Sequence, residues 1–194
     1  TGMSTLAEVS TAVATIHHAN NKDLMLLHCV SNYPADPVDI NLKAMATLAM
    51  AFQVPVGYSD HTNGVEVALA AVALGACVIE KHFTLDRNLP GPDHLASLEP
   101  AELESMVRGI RTVETSLGHG RKEPTPREAS TAAVARKSLV TAQDIPAGQR
   151  LMEEHISIKR PGTGIPPAMI SQILGRTTRV AISAGTLITL EMLV

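Results

Sequence analysis

Two histidines, His61 and His82, each close a short apolar run, and each follows residues that carry oxygen donors: Ser59 and Asp60 before one, Glu80 before the other. If both runs are strands, side chains alternate, so Ser59 and His61 share one face and Glu80 and His82 share one face. Adjacent strands lie about 4.8 Å apart, so imidazoles at matching strand ends can converge on a single divalent ion. Two histidines with no thiolate partner suit Mn, Fe, Co or Zn, with water and substrate oxygens completing the shell. An open shell of that kind belongs to catalysis more than to structure. Asp93, in Gly91-Pro92-Asp93-His94, follows in the next loop and can reach the same mouth to bind hydroxyl groups; its other reading is an ordinary turn aspartate. Tyr33, one of only 2 tyrosines, ends an earlier apolar run just after Ser31, either at the site or as a rim residue over the core. Lys81 alternates away from this face and is left out of the site. His28 reads as a packed strand residue, and His17, His18, His119 and His155 fall on helix surfaces, linker or turns.

The elements that must hold these residues alternate. Residues 6–19, 41–52, 65–74 and 102–117 have helical spacing, while 24–30, 54–58 and 77–83 are short apolar runs of the kind buried on both faces. Gly75 fits a helix C-terminal cap, and Pro100 suits a first turn. Leu103, Met106, Val107, Ile110, Val113 and Leu117 fall on one face of the last helix. Strands separated by crossover helices make a parallel α/β architecture, whose ligands gather at the carboxyl ends of the strands. The predicted strand ends fall at Ser31-Asn32-Tyr33, at Ser59-Asp60-His61 and from Glu80 onward, which is where the chemically useful residues stand.

The periodicity stops after residue 118. Residues 119–135, with Pro124 and Pro126 among charges, read as a linker. Residues 136–194 then change character: strands at 136–141, 156–159, 180–182 and 186–190 separated by Gly- and Pro-bearing turns, a small, mostly β module.

The 194 residues are 45% apolar, with 2 Phe, 2 Tyr and no Trp, so the core must be aliphatic. A formal charge of −3 with no block of one sign argues against nucleic acid or an anionic membrane as partner. Cys29 and Cys77 lie in apolar runs and are expected to be buried, reduced thiols. No run is apolar for long enough to span a bilayer, and the start has no signal-peptide pattern, so the expected location is soluble and cytoplasmic.

Four segments, Leu27-His28-Cys29-Val30-Ser31-Asn32-Tyr33-Pro34, Gly57-Tyr58-Ser59-Asp60-His61-Thr62, Glu80-Lys81-His82-Phe83-Thr84 and Gly91-Pro92-Asp93-His94, resemble the N-acetylneuraminate (sialic acid) synthase family, including its legionaminate-forming members. Arg160-Pro161-Gly162-Thr163-Gly164-Ile165 resembles the signature of that family's C-terminal antifreeze-like, or SAF, module. The resemblance implies the C-terminal part of a TIM (β/α)8 barrel over residues 1–118 and an SAF β-clip domain over 136–194. It implies condensation of phosphoenolpyruvate with an N-acyl hexosamine such as N-acetylmannosamine, releasing phosphate and forming a nonulosonic acid. By the same resemblance His61 and His82 hold a divalent metal, Mn²⁺ by preference with Mg²⁺ or Co²⁺ as alternatives. Ser59 and Ser31 contact substrate, Tyr33, Glu80 and Asp93 face the sugar or assist proton transfers, and Asp60 stands beside the metal and orients His61, with Glu80, Asp60 and Tyr33 as the catalytic residues. Arg160 reaches the partner's site in a domain-swapped homodimer.

A complete barrel has eight strands, and three βα units precede the linker here. These residues alone are therefore expected to be an inactive portion of a synthase, without its phosphoenolpyruvate-binding lysines. The reading from another class is a non-catalytic carbohydrate-binding or interaction protein working through the β module.

Overall fold

The computed structural model describes all of residues 1–194, which divide into two compact units, Thr1–Gly120 and Arg121–Val194. The first alternates helix and strand: α1 (Leu6–His18), β1 (Leu26–Cys29), α2 (Ala44–Phe52), β2 (Val56–Asp60), α3 (Glu66–Ala73), β3 (Ile79–Lys81) and α4 (Pro100–Leu117). The strands form one parallel sheet in the order β1-β2-β3, with α2 and α3 as crossovers. The α/β class with a parallel sheet is thus as expected, although β1 and β3 are shorter than their apolar runs and β2 lies two residues further along the chain than its run.

Local chemistry starts and stops these helices. At α1 the Thr5 backbone N–H donates to Glu8 Oε2 at 2.7 Å, and the hydrogen bonds from Thr5 hold the Glu8 carboxyl below its usual range. At α4 Pro100 opens the helix, and Glu102 accepts from the Glu99 N–H at 2.9 Å. Gly75, at φ +99, follows the end of α3 in the left-handed half of conformational space that suits glycine. Along α4 only Met106 is fully buried; Val107 and Leu117 are 46% and 55% exposed, so the apolar stripe is wider than the face it buries.

The main core packs Val9, Val13, Met45, Leu48, Val56, Tyr58 and Ala71. On the opposite face of β2, Gly57 has no room for a side chain: a Cβ there would stand 2.5 Å from the Val78 carbonyl oxygen and 2.6 Å from Leu27 Cδ2. The Leu27 tip can rotate, but the Val78 carbonyl is backbone that accepts from the Tyr58 N–H at 2.9 Å and cannot give way without breaking the pairing of β2 with β3.

The second unit holds α5 (Ala129–Ala135), an antiparallel pair of β4 (Ser138–Thr141) and β5 (Ile156–Lys159), and α6 (Ile170–Ile173). Two expectations are corrected here. Residues 129–135 of the expected linker are helical, because an Ala-rich segment follows a turn in which Glu128 Oε2 accepts from the Thr125 N–H at 2.7 Å. Residues 180–182 and 186–190 make isolated bridges instead of strands. Ile145 and Ile182 exchange two 2.8 Å backbone bonds, but the chain turns at residues 147–148, with Gly148 at φ +78, and the pairing goes no further. Leu139, Ile145, Leu151, Ile165, Ile173, Ile188 and Leu193 form this unit's own core. His155, expected in a surface turn, is buried, and its Nδ1 accepts from the Met152 N–H at 3.1 Å. The cysteines are free, as expected, but Cys29 is only half-buried and Cys77 is exposed, since Cys77 precedes the edge strand β3.

Gly57→Ala is expected to lower stability by about 1–3 kcal/mol or more, the cost of overpacking against atoms that cannot move aside. A urea unfolding curve with an unchanged midpoint would contradict this account of the sheet.

Candidate functional site

The parallel register sets Ser59 beside Glu80 and Asp60 beside Lys81, so His61 and His82 each stand one residue beyond a strand end. Their backbones are tied down from outside the sheet. The His61 carbonyl accepts from the Ala35 N–H at 2.8 Å, and the His82 carbonyl accepts from the Leu98 N–H at 2.9 Å. The two rings lie 5.2 Å apart, centre to centre, edge to face at 89°. Tyr33 joins them, its ring 4.1 Å from that of His82 and 5.1 Å from that of His61. The Tyr33 hydroxyl lies 3.2 Å from the Asp93 carbonyl oxygen, to which it donates, and 3.2 Å from Ser97 Oγ. An Asp93 carboxylate oxygen is 3.9 Å from His82 Nδ1, and both side chains are well exposed. Tyr33, His61, His82 and Asp93 therefore form one open cluster at the carboxyl end of the sheet, drawn from three loops.

Two residues further back, on the same face by alternation, Ser59 Oγ donates to Glu80 Oε1 at 2.7 Å. Ser59 is buried and Glu80 exposed, so the bond leads from the sheet interior to its accessible edge. Ser31 is exposed and lies against Gly2, whose φ of +47 and lack of a side chain let the chain pass; a Cβ at residue 2 would stand 2.7 Å from Ser31 Oγ. Arg160 is exposed in the second unit, just after β5. His28, expected to be a packed strand residue, bonds through Nε2 to the Ile40 carbonyl at 2.7 Å.

Asp60 is corrected. It makes no bond to the His61 ring and lies on the other face of β2, fully buried. One carboxylate oxygen accepts from Lys81 Nζ at 2.8 Å, and the other accepts from Tyr58 Oη at 3.2 Å, Thr62 N at 2.9 Å and Thr62 Oγ1 at 2.7 Å. A carboxylate so engaged cannot take a proton from substrate. Lys81, left out by the sequence reading, is also buried, and its ammonium donates in addition to the Thr62 carbonyl. Alternation correctly turns it away from the histidines, but the face it turns to is interior. The available signal was Asp60-His61 set against Lys81-His82: opposite charges at equivalent places on neighbouring strands.

No three side chains among His, Cys, Asp and Glu are gathered in a metal-holding group. The donor set that suits a divalent ion is the pair of imidazoles, open on the side of exposed Asp93, with Cys29 Sγ 3.8 Å from His61 Nδ1 as the nearest sulfur.

A parallel α/β unit with paired histidines at its strand ends, joined to a separate small unit, is the class of protein that the fold and the site define. Residues 1–122 match the NeuB family and residues 136–194 the SAF domain, and the chain belongs to the NeuB family. It is 50% identical over 190 residues to N,N'-diacetyllegionaminic acid synthase of Legionella pneumophila, covering 96% of this chain and 53% of that protein. It is 38% identical to human N-acetylneuraminate-9-phosphate synthase over 174 residues, 89% of this chain and 48% of that protein. The chain thus spans about half the length of the curated relatives it matches. Among solved structures, the sialic acid synthetase of Leptospira borgpetersenii superposes with a TM-score of 0.61 at 43% identity, covering 67% of this chain and 45% of that one. The spore coat polysaccharide biosynthesis protein of Bacillus subtilis does so with a TM-score of 0.58 at 35% identity, covering 100% and 60%. No helix is long and apolar enough to cross a membrane.

The two tyrosines give a pH test. Burial raises the Tyr58 phenol far above its ordinary 10.0, with the Asp60 carboxylate adding to the effect. Burial also raises Tyr33, against a smaller lowering by the Ser97 hydroxyl. A phenol raised on folding stays protonated where the unfolded chain has lost its proton, so its contribution is intact below pH 10 and is lost as pH rises above it. At pH 10.0, where an ordinary tyrosine is half ionised, the folded chain is expected to show less phenolate absorbance than the urea-unfolded chain. Equal signals from the two would contradict the burial account.

Proposed function

We propose that this chain supplies the metal- and sugar-binding part of a nonulosonic acid synthase built on a TIM barrel. The protein as a whole would condense phosphoenolpyruvate with an N-acyl hexosamine. The observation that carries the reading is the convergence of Tyr33, His61, His82 and Asp93 on one open mouth at the strand ends. Membership of the NeuB family and relatives that are legionaminic and sialic acid synthases support it.

In this reaction carbon 3 of phosphoenolpyruvate bonds to the aldehyde carbon of the open-chain sugar, a water oxygen adds at carbon 2, and phosphate leaves. Carbon 3 is a weak nucleophile, so most of the work is positioning and charge stabilisation. A divalent ion, Mn²⁺ by preference, held by His61 and His82 would polarise the aldehyde oxygen. Tyr33, whose hydroxyl donates to the Asp93 carbonyl, holds the Asp93 loop against the histidines and lines the mouth with its ring. The Asp93 carboxylate, exposed beside His82, accepts from sugar hydroxyls. Ser59 and Glu80 form a hydroxyl–carboxylate pair in which Glu80 can receive a proton through Ser59 or hold the water that attacks carbon 2. Arg160 would serve the partner's site in a domain-swapped homodimer. Because the chain spans about half the length of the synthases it is similar to, the isolated chain would be expected to release no phosphate.

His61→Ala and His82→Ala, made in the protein at the full length its gene encodes, are each expected to slow Mn²⁺-dependent phosphate release from phosphoenolpyruvate and N-acetylmannosamine by about a hundredfold or more. Near-normal turnover by either variant would remove the metal assignment, and robust turnover by the isolated 194-residue chain would remove the division of labour.

A further inference from the structure

The Asp60–Lys81 pair is joined to the histidines by sequence and to nothing outside its own network. Asp60 precedes His61 and Lys81 precedes His82, and the two are register partners across β2 and β3. The Lys81 ammonium reaches two points, Asp60 Oδ2 at 2.8 Å and the Thr62 carbonyl, which flank His61 on either side. The other carboxylate oxygen of Asp60 binds the Thr62 N–H at 2.9 Å, closing an Asp60-His61-Thr62 turn around the same histidine. The residue before His82 therefore grips the chain on both sides of His61. Asp60, Thr62 and Tyr58 are fully buried, and the Lys81 side chain is 3% exposed. Solvent does not screen the grip, and neither charge can leave without stranding the other.

We propose that Asp60 and Lys81 are positioning residues: their ion pair, with Thr62, sets the spacing and orientation of the His61 and His82 rings and so tunes the affinity of that pair for a divalent cation. The cation part rests on the metal reading above; the ring-positioning part does not. The pair touches neither ring. It acts by fixing the two backbones from which the rings project, with the Ala35 and Leu98 N–H groups holding the His61 and His82 carbonyls. Sealing a carboxylate and an ammonium behind the sheet costs stability that a pair of aliphatic residues would not. What the charges add is a directional cross-strand link at the one level where two side chains must meet at a set distance.

The test uses the 194-residue chain with two milder variants in place of a single charge deletion, which would strand a buried charge. Asp60→Asn combined with Lys81→Met removes the cross-strand link and both charges, while the amide oxygen introduced at position 60 can still accept from Thr62. Thr62→Val removes one of the four donors to Asp60 and keeps the ion pair. For variants shown to be folded by circular dichroism, two readouts are taken. The first is the set of proton–proton nuclear Overhauser contacts among the Tyr33, His61 and His82 rings without metal. The second is Mn²⁺ affinity from the loss of its free-ion electron paramagnetic resonance signal.

The double variant is expected to lose the His61–His82 ring contact and to bind Mn²⁺ about ten- to a hundredfold more weakly, the usual consequence of removing support from a ligand. Thr62→Val is expected to shift both readouts the same way by a smaller factor, and it carries the test if the double variant does not fold. Unchanged ring contacts in the folded variants would overturn the inference whatever Mn²⁺ does. A wild-type chain that keeps its ring contacts yet binds no Mn²⁺ would overturn the metal reading, and loss of those contacts in the variants would still uphold the positioning role.

Discussion

Lys81 and Asp60 meet behind the sheet with their charges out of water, and much of the first unit's geometry leads to or from that contact. Desolvating an ammonium and a carboxylate costs several kcal/mol each, which their mutual attraction offsets only when the remaining donors and acceptors are also satisfied. Here they are: four donors reach the carboxylate, and two acceptors take the ammonium. Such a network tolerates little displacement, because a slip of one residue in the β2–β3 register would leave Asp60 and Lys81 on opposite faces of the sheet. Tyr58 links it to the aliphatic core among Val9, Val13, Met45 and Leu48, so the core and the strand ends are mechanically continuous.

On the other face the demands are different. Ser59, Glu80, His61, His82, Tyr33 and Asp93 gather there, and the exposed ones lie on the edge strand or in loops. The scaffold reconciles the two faces by strict alternation: one residue step separates a sealed charge pair from an open imidazole pair. The loops are equally constrained. Arg87 donates to the Ser97 carbonyl at 2.9 Å and pairs with Glu102, and this contact holds the Glu102 carboxyl below its usual range. The segment that carries Asp93 is thereby tied to the start of α4, and at its end Leu98 makes an isolated parallel bridge to Phe83, beside His82.

The second unit reaches order by another route. It has few continuous ladders; single bridges and turns, such as Gly148 and Gly185 at φ +78 and +80, fold the chain around seven aliphatic residues.

Local periodicity in the sequence determined the parallel α/β unit, the place where it gives way to a different module, and the strand ends where His61 and His82 stand. Period-2 and period-3.6 patterns are short-range properties and survive without knowledge of the fold. Short-range signals did not reveal the helix at Ala129–Ala135, whose Ala-rich run was masked by the neighbouring prolines and charges. Three features were settled only by tertiary structure: that the face opposite the histidines is sealed, that Lys81 is a buried partner of Asp60, and that the Tyr33 ring stacks 4.1 Å from His82. The physical reason is common to all three. Alternation tells which side of a strand a residue faces, but only the packing of helices and loops from distant parts of the chain decides whether that side meets water, another charge or an open mouth.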